Sequence, residues 1–162
     1  GNMRIAFICT ANVCRSVMAH AILERMARER HLDLEVTSAG ILDFTGTPPA
    51  DNAWITCLRN GTSISKMESL FVGRLDLDGI DRFLAMEIRH RDVLVSTYGV
   101  DEQKVQLLGA YDEVNPELEI ADPIHQPKAA FQECFDRIER CMEGLLAQIS
   151  EGDQDAALPD PG

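Results

Sequence analysis

Short apolar runs alternate with amphipathic segments along most of the chain, and this pattern predicts its strands and helices. Continuous apolar runs are typical of buried strands, whereas apolar positions gathered on one side of a segment are typical of helices. The pattern predicts four strands, at Met3–Cys9, Leu34–Ser38, Arg82–Met86 and Lys104–Leu108. It predicts four helices, over Ser16–Glu29, from Pro48–Asp51 to about Asn60, over Glu87–Ser96 and over Lys128–Ile149.

Regular alternation of strand and helix indicates one α/β domain over residues 1–150. We expect an open, doubly wound, four-stranded parallel sheet with helices on both faces. Residues 111–127 read as a long loop, and Gly61 suits the position just after the second helix. Residues 151–162 are acidic, contain Pro and Gly and lack periodicity, so we predict a disordered tail.

Composition narrows the class of protein. The 162 residues are 45% hydrophobic and 26% charged, which is ordinary for a soluble globular domain. A net charge of -12 argues against a nucleic-acid partner. No apolar run approaches the ~20 residues of a membrane span, so we expect no membrane insertion. Five cysteines without CxxC or zinc-finger spacing, and no secretion-signal pattern, favour free thiols and a cytoplasmic location.

The stretch FICTANVCRSVMAH, residues 7–20, carries the strongest chemical signal. Cys9 ends the first predicted strand, and ligands of open parallel sheets bind beyond the carboxyl ends of strands. A short loop curling into a helix N-terminus can direct several backbone N–H groups at one anion. Arg15 adds a planar guanidinium suited to two oxygens of a phosphate-like group. Because this positive field favours a thiolate, the loop predicts Cys9 as a nucleophile directed at phosphorus.

Two further loop residues fit this interpretation. Asn12 tolerates a left-handed turn and can bond the nearby backbone. Ser16 either caps the following helix or donates to the sulfur of Cys9. On the loop alone a plainer alternative stays open, namely a chance C-x5-R-S string with an ordinary buried cysteine.

Such a nucleophile needs a proton donor for the leaving oxygen. Asp122 precedes Pro123 in the long loop before the last helix, a suitable place for a mobile acid. The alternative is that Asp-Pro here is simply a turn.

Taken together, these residues resemble the low-molecular-weight protein tyrosine phosphatases. The string CTANVCRS followed by VMA resembles that family's phosphate loop, C-x-G-N-x-C-R-S-P-M-A. The resemblance extends over roughly residues 3–149. Its other parts are TSAG at 37–40, FLAM at 83–86, KVQLLGAY at 104–111, the Asp122-Pro123 loop, and the final helix from Phe131 through Ile138 and Cys141 to Gly144.

The resemblance implies a protein tyrosine phosphatase that acts on phosphotyrosine-containing proteins without a metal or other cofactor. Cys9 would attack the phosphoryl group and carry it as phosphocysteine, and Asp122 would protonate the leaving phenolate and then activate water. Arg15 and the loop would hold the phosphoryl oxygens. The loop residues implied at the phosphate are Thr10, Ala11, Asn12, Val13, Cys14 and Ser16.

The resemblance also assigns supporting roles. Ser38 matches a serine that helps the loop network, and Phe44 falls where many bacterial members carry an aromatic beside the substrate ring. Cys14 matches the family's second loop cysteine, which suggests a reversible Cys9–Cys14 disulfide that protects the nucleophile. The alternative for Cys14 is a small packing residue. Oligomeric state and the physiological substrate stay open.

The chain departs from the family pattern at several positions. Ala11 replaces a glycine, which would cost roughly 1–2 kcal/mol if the position needs a positive φ. Val17 replaces a proline, and His20 stands where a glutamate is usual. Ile124-His125 follows the Asp-Pro pair where an aromatic pair is common, which weakens one wall of a phosphotyrosine slot.

Three rival functions remain beside this one. Arsenate reductases of this fold need a resolving cysteine pair, and residues 70–110 contain no cysteine. Phosphoarginine phosphatases carry threonine where Val13 stands, although LAMEIRHRDVLVSTYG resembles that branch. A catalytically inactive phosphate-binding module is argued against by the presence of Cys9, Arg15 and Asp122 together.

Overall fold

Residues 2–157, which the computed structural model describes, contain four strands and four α-helices. The strands are β1 (Met3–Cys9), β2 (Leu34–Gly40), β3 (Arg82–Ala85) and β4 (Val105–Leu107). The helices are α1 (Arg15–Glu29), α2 (Asp51–Arg59), α3 (Ile88–Ser96) and α4 (Lys128–Ala157). Single 3-10 turns occupy residues 72–74, 77–79, 102–104 and 108–111.

The strands form one parallel sheet in the order β2-β1-β3-β4. In the register of β1 with β2, Cys9 lies beside Gly40, and β3 pairs with β1 on the other side up to Ala85. The carboxyl ends of β1, β2 and β3 therefore meet at one edge of the sheet. The predicted α/β fold and its parallel sheet are confirmed.

Hydrophobic side chains alternate between the two faces of the sheet, as a pleated strand requires. Ile5, Phe7 and Cys9 of β1 belong to the cluster formed with α1, α2 and α4. Ala6 and Ile8 belong to the opposite cluster, which includes Leu94 of α3. Helices thus cover both faces, and the side chain of Cys9 lies on the face that α1 and α4 cover.

The predicted element boundaries need small corrections. Helix α1 begins at Arg15, its N-cap position is Cys14, and no side chain caps it, so the suggestion that Ser16 caps the helix is wrong. Gly61 follows the C-cap of α2 with a φ of 79°, as its predicted position after the helix requires.

Helix α4 continues past the predicted end at Ile149 to Ala157. The predicted disordered tail, residues 151–162, begins within this helix, and its residues 158–162 lie outside the described residues. The boundary at residue 150 stays a prediction. No helix in the described part of the chain is long and apolar enough to cross a membrane.

Candidate active site

The loop between β1 and α1 wraps around the sulfur of Cys9. Asn12 adopts the left-handed conformation with a φ of 58°, and its backbone N–H points at Cys9 Sγ, 3.3 Å away. This conformation directs an amide inward, as the sequence predicted for a loop that turns sharply. Cys9 itself is almost fully buried at the carboxyl edge of the sheet.

Ser16 Oγ lies 2.8 Å from Cys9 Sγ. The same hydroxyl accepts a hydrogen bond from Asn12 Nδ2 at 2.7 Å, which leaves the hydroxyl proton free to donate to the sulfur. A donated hydrogen bond stabilises a thiolate over a thiol. Of the two predicted roles for Ser16, the structure therefore supports contact with the sulfur.

Neighbouring loops hold the Cys9 loop from outside. The backbone N–H of Leu70 donates to Asn12 Oδ1 at 2.9 Å, and Ser69 Oγ donates to the carbonyl of Ala11 at 2.6 Å. Gly40 of β2 passes so close that a Cβ placed there would lie 2.7 Å from the carbonyl oxygen of Thr10. Only glycine permits this approach of two backbones.

Ala11 carries no backbone strain. The non-glycine residues with positive φ among those described are Asn12, His31 and His125, so the possible cost attached to Ala11 does not arise. The left-handed position of the loop is Asn12, one residue later. His125, in the loop that contains Asp122, is exposed and has a φ of 64°.

Arg15 is buried to 1% exposure, and one side of its guanidinium is fully engaged. Nη1 donates to Glu87 Oε2 and to the carbonyl of Ile120, both at 2.7 Å. Nη2 makes only long contacts, 3.5 Å to Thr10 Oγ1 and 3.4 Å to Asp122 Oδ2. Nε is buried and has no partner among the described residues. The edge formed by Nε and Nη2 therefore has unused hydrogen-bonding capacity.

Glu87 is the anion that orients Arg15. Burial alone raises the pKa of Glu87, but hydrogen bonds and charges from Arg15 and Arg89 outweigh it and hold the pKa below its usual value. Glu87 is consequently ionised at neutral pH. Its ion pair occupies Nη1 and leaves the opposite edge of Arg15 free.

Asp122 lines the same cavity as Cys9 and Arg15, with its side chain about one-third exposed. Its Oδ1 accepts the backbone N–H of Ile124 at 3.0 Å, an Asx-type contact that braces the turn. Its Oδ2 faces Arg15 Nη2. The Asp122-Pro123 loop thus brings the predicted acid to the wall of the cavity that contains Cys9.

A cavity of about 210 Å³ joins most of the predicted site residues, though not Asn12, Ser16 or Ser38, and its walls are largely apolar. It is lined by Cys9, Thr10, Ala11, Val13, Cys14, Arg15, Leu42, Phe44, Asp122 and Ile124. Phe44 is 47% exposed at its rim, where an aromatic wall was predicted. A larger cavity of about 480 Å³ lies behind Asp122 and is lined by Glu117, Glu119 and Glu133 rather than by the Cys9 loop.

Thr10 is held from the side by α3. His90, which is fully buried, places Nε2 3.0 Å from Thr10 Oγ1, while its Nδ1 accepts the backbone N–H of Glu87 at 3.0 Å. Burial lowers the pKa of His90 to about 4, with Arg15 and Arg89 adding to the effect against Glu87. His90 is therefore neutral, and Nε2 carries the proton that it donates to Thr10.

Ser38 is buried on β2, and its side-chain hydrogen bond is with His20 Nδ1 at 2.9 Å. His20 Nε2 in turn contacts Glu24, one turn along α1. Burial lowers the pKa of His20, and Glu24 opposes this shift. The histidine that replaces the usual glutamate thus takes up the Ser38 hydroxyl, and direct support of the Cys9 loop by Ser38 stays a prediction.

All five cysteines are free and buried. Burial raises the pKa of Cys14, and the charges of Asp122 and Cys9 raise it further. Burial likewise raises the pKa of Cys57, Cys134 and Cys141 to about 12. These four side chains are protonated thiols at neutral pH. The described residues contain no cluster of three or more His, Cys, Asp or Glu side chains able to hold a metal ion.

Several site residues were not predicted from the sequence. Glu87 lies two residues after the end of β3, so its place near the carboxyl edge of the sheet was a usable signal. His90 and Ile120 gave no such signal, because one is a helix residue and the other contributes only a backbone carbonyl. Gly40 stood in the quoted TSAG string, but its role depends on the loop that passes over it.

Known proteins resemble this chain over most of its length. The profile described as "Low molecular weight phosphotyrosine protein phosphatase" matches residues 4–155. The low molecular weight protein-tyrosine-phosphatase YfkJ of Bacillus subtilis is 30% identical over 154 residues, which cover 93% of this chain and 97% of the relative. A protein-arginine-phosphatase of Bacillus subtilis is 26% identical over 149 residues, 92% of this chain and 98% of the relative.

Solved structures agree in fold. The low molecular weight protein tyrosine phosphatase from T. tengcongensis superposes with a TM-score of 0.84 at 28% identity, covering 91% of this chain and 99% of that one. The similarity therefore spans nearly the whole length of both chains and includes relatives of two substrate classes.

Proposed function

The chain belongs to the low molecular weight phosphotyrosine protein phosphatase family, and from this premise we propose that it hydrolyses phosphotyrosine in protein substrates through a phosphocysteine intermediate. The observation that carries the proposal is the edge of Arg15 formed by Nε and Nη2, whose hydrogen bonds are incomplete. A buried guanidinium with an unpartnered Nε and a weakly bonded Nη2 lines the cavity that contains Cys9. An unsatisfied buried N–H costs about 1–3 kcal/mol, so this edge favours an incoming oxyanion.

In the first step the Cys9 thiolate attacks phosphorus and the bond to the phenolic oxygen breaks. Arg15 Nε and Nη2, with the inward amide of Asn12, take the charge of the equatorial oxygens. Asp122 donates its proton to the departing phenolate. Support for this assignment comes from the cavity that Asp122 and Cys9 both line.

In the second step water attacks the phosphocysteine, and the Asp122 carboxylate takes a proton from that water. Cys9 leaves as a thiolate, and inorganic phosphate is released. The Ser16 hydroxyl, 2.8 Å from the sulfur, stabilises the departing thiolate. Both steps use the same charged edge of Arg15.

Phosphotyrosine is the preferred substrate in this proposal because the cavity walls are apolar. Val13, Leu42, Phe44 and Ile124 surround the opening with carbon, which suits an aryl ring better than a charged guanidinium. Ile124 supplies an aliphatic wall where the family commonly has an aromatic pair. We therefore expect this protein to hydrolyse aryl phosphate esters, but more slowly than a relative with the aromatic pair.

Hydrolysis of phosphoarginine is the second candidate, since the similar protein-arginine-phosphatase covers 92% of this chain. Val13 separates the two candidates. An apolar Val13 offers no hydrogen bond to a guanidinium, whereas threonine at this position would offer a hydroxyl.

The test measures hydrolysis of a phosphotyrosine peptide and of a phosphoarginine peptide. The enzymes compared are the wild type, Cys9→Ser, Val13→Thr and, as a control outside the cavity, Cys57→Ala. We expect phosphotyrosine turnover to be retained in Cys57→Ala and to fall by about 10⁴-fold or more in Cys9→Ser. Val13→Thr is expected to move the ratio of kcat/KM values toward phosphoarginine. A wild-type preference for phosphoarginine would overturn the substrate assignment, and turnover of neither peptide would overturn the enzyme assignment.

We also propose that the site is redox-sensitive and that the protein works in the cytoplasm, where five free cysteines remain reduced. Peroxide oxidises the Cys9 thiolate to a sulfenic acid, and the Cys14 thiol then displaces water to form a disulfide. Both residues line the same cavity, which supports the pairing. Mass spectrometry after stoichiometric peroxide should find the Cys9–Cys14 peptide, whereas Cys9 sulfinate alone would contradict the disulfide.

A further inference from the structure

Arg89 extends the charged part of the site beyond the catalytic cavity. It is the second residue of α3, its side chain is about half exposed, and its Nη2 donates to Thr10 Oγ1 at 2.5 Å. Thr10 lines the catalytic cavity beside Cys9. The guanidinium of Arg89 therefore lies one side chain away from the position of the phosphoryl group, on the solvent side.

The hydroxyl of Thr10 has no remaining need for a donor. His90 Nε2 donates to Thr10 Oγ1 at 3.0 Å, because the other ring nitrogen already accepts the N–H of Glu87. Arg89 Nη2 supplies the second close donor, and Arg15 Nη2 lies farther away at 3.5 Å. With both lone pairs of Oγ1 used, the hydroxyl proton is left to donate to an acceptor from outside.

Arg89 places an exposed cation beside the cavity, although the whole chain carries a net charge of -12. Arg15 pairs with both Glu87 and Asp122, whereas Arg89 shares the carboxylate of Glu87 with Arg15. Arg89 Nη1 makes no hydrogen bond among the residues whose side chains are described. One exposed cation and one free hydroxyl proton thus adjoin the mouth of the cavity.

We propose that Arg89 and Thr10 form a subsite for a carboxylate of the substrate, namely an acidic side chain flanking the phosphotyrosine in the same peptide. The subsite selects among phosphotyrosine sequences and takes no part in the chemical steps. This inference rests on the proposed function, because it assumes a phosphotyrosine in the catalytic cavity. Long-range repulsion by the acidic chain makes such a local cation the natural means of accepting an acidic sequence.

The test compares matched phosphotyrosine peptides that carry Glu or Gln at a single position, from two residues before to two residues after the phosphotyrosine. The quantity measured is the ratio of kcat/KM for each Glu peptide to that for its Gln partner, in the wild type, Arg89→Gln and Arg91→Gln. Arg91 is the matched control, because it lies on the same helix and pairs with Asp92 instead of the site. A ratio within one enzyme cancels any general loss of folding or activity.

In the wild type we expect a three- to fivefold preference for Glu at one or more positions, the scale of a half-exposed ion pair. The preference should fall to within about 1.5-fold in Arg89→Gln and persist in Arg91→Gln. A wild type that cleaves all peptides with equal efficiency, or a preference that survives in Arg89→Gln, would overturn the subsite while leaving the phosphatase assignment intact. Failure to cleave any phosphotyrosine peptide would instead contradict the proposed function.

Discussion

Glu87 Oε2 lies 2.7 Å from Arg15 Nη1, so an acid at the end of β3 orients the arginine that follows the β1 loop. The carbonyl of Ile120 accepts from the same nitrogen at 2.7 Å. Together they hold one side of the guanidinium, while Nε has no partner among the described residues and Nη2 makes only long contacts. Orientation of Arg15 is therefore a property of three separate parts of the chain, joined only in the folded protein.

Replacing Glu87 tests this orientation. Glu87→Ala should lower kcat/KM for 4-nitrophenyl phosphate by about 100-fold, because a misplaced guanidinium no longer matches the phosphoryl oxygens. Glu87→Gln keeps an acceptor without the charge and should lose about tenfold. Steady-state kinetics should show a larger loss of kcat/KM in Glu87→Ala than in Glu87→Gln. The control is Glu102→Gln, at an exposed position. Equal activity in Glu87→Ala and the wild type would show that Arg15 needs no anchor.

Removing the proposed acid should affect substrates according to their leaving groups. In Asp122→Ala we expect kcat/KM for a phosphotyrosine peptide to fall by about 10²–10⁴-fold, since its phenolate needs a proton. The loss for 4-nitrophenyl phosphate should be much smaller, because 4-nitrophenolate leaves without protonation. Glu133→Gln, an exposed acid on the neighbouring cavity, is the control. Equal losses for both substrates would contradict the role of Asp122 as acid.

Gly40 should be needed for the shape of the loop. A Cβ in Gly40→Ala would lie 2.7 Å from the carbonyl oxygen of Thr10 and 2.8 Å from the carbonyl carbon of Ala11, and neither backbone can yield easily. We expect a loss of about 1–3 kcal/mol in the free energy of unfolding and at least a tenfold loss of activity. Urea denaturation and aryl phosphate kinetics measure the two effects. The control is Gly61→Asn, whose position has a φ of 79° and open space around it.

Protonation of His90 should make stability depend on pH. Its pKa is about 4 in the folded protein against an ordinary value of 6.5, so the unfolded chain binds a proton between these pH values and the folded protein does not. Stability therefore falls as pH decreases from about 6.5 to about 4. Between pH 7 and pH 5 the wild type should lose about 2 kcal/mol more than His90→Gln in urea denaturation.

The exposed His125→Asn variant should follow the wild type over the same pH range, because Asn tolerates the left-handed backbone at this position. Parallel pH profiles of the wild type and His90→Gln would mean that His90 does not resist protonation in the fold.

The sequence by itself determined the order of strands and helices and the chemistry of the loop. Uninterrupted apolar runs and amphipathic segments are local properties, so β1 was predicted with its observed limits, Met3–Cys9. The residues Cys9, Asn12, Arg15 and Ser16 lie within one loop and helix start, and this loop between a strand and a helix favoured an anion site. Asp122 was predicted as the acid because a proton donor was chemically required and an Asp-Pro loop was available.

Contacts between distant segments were decided only by the tertiary structure. Glu87, the carbonyl of Ile120 and the hydroxyl of Thr10 surround Arg15, although 72 and 105 positions separate Glu87 and Ile120 from it. Likewise, the need for glycine at position 40 arises because β2 pairs beside the end of β1. Ser38 of β2 hydrogen-bonds to His20 of α1. Periodicity and short motifs report on neighbours in sequence, whereas these roles arise from parallel pairing, which brings the ends of separate strands to one edge.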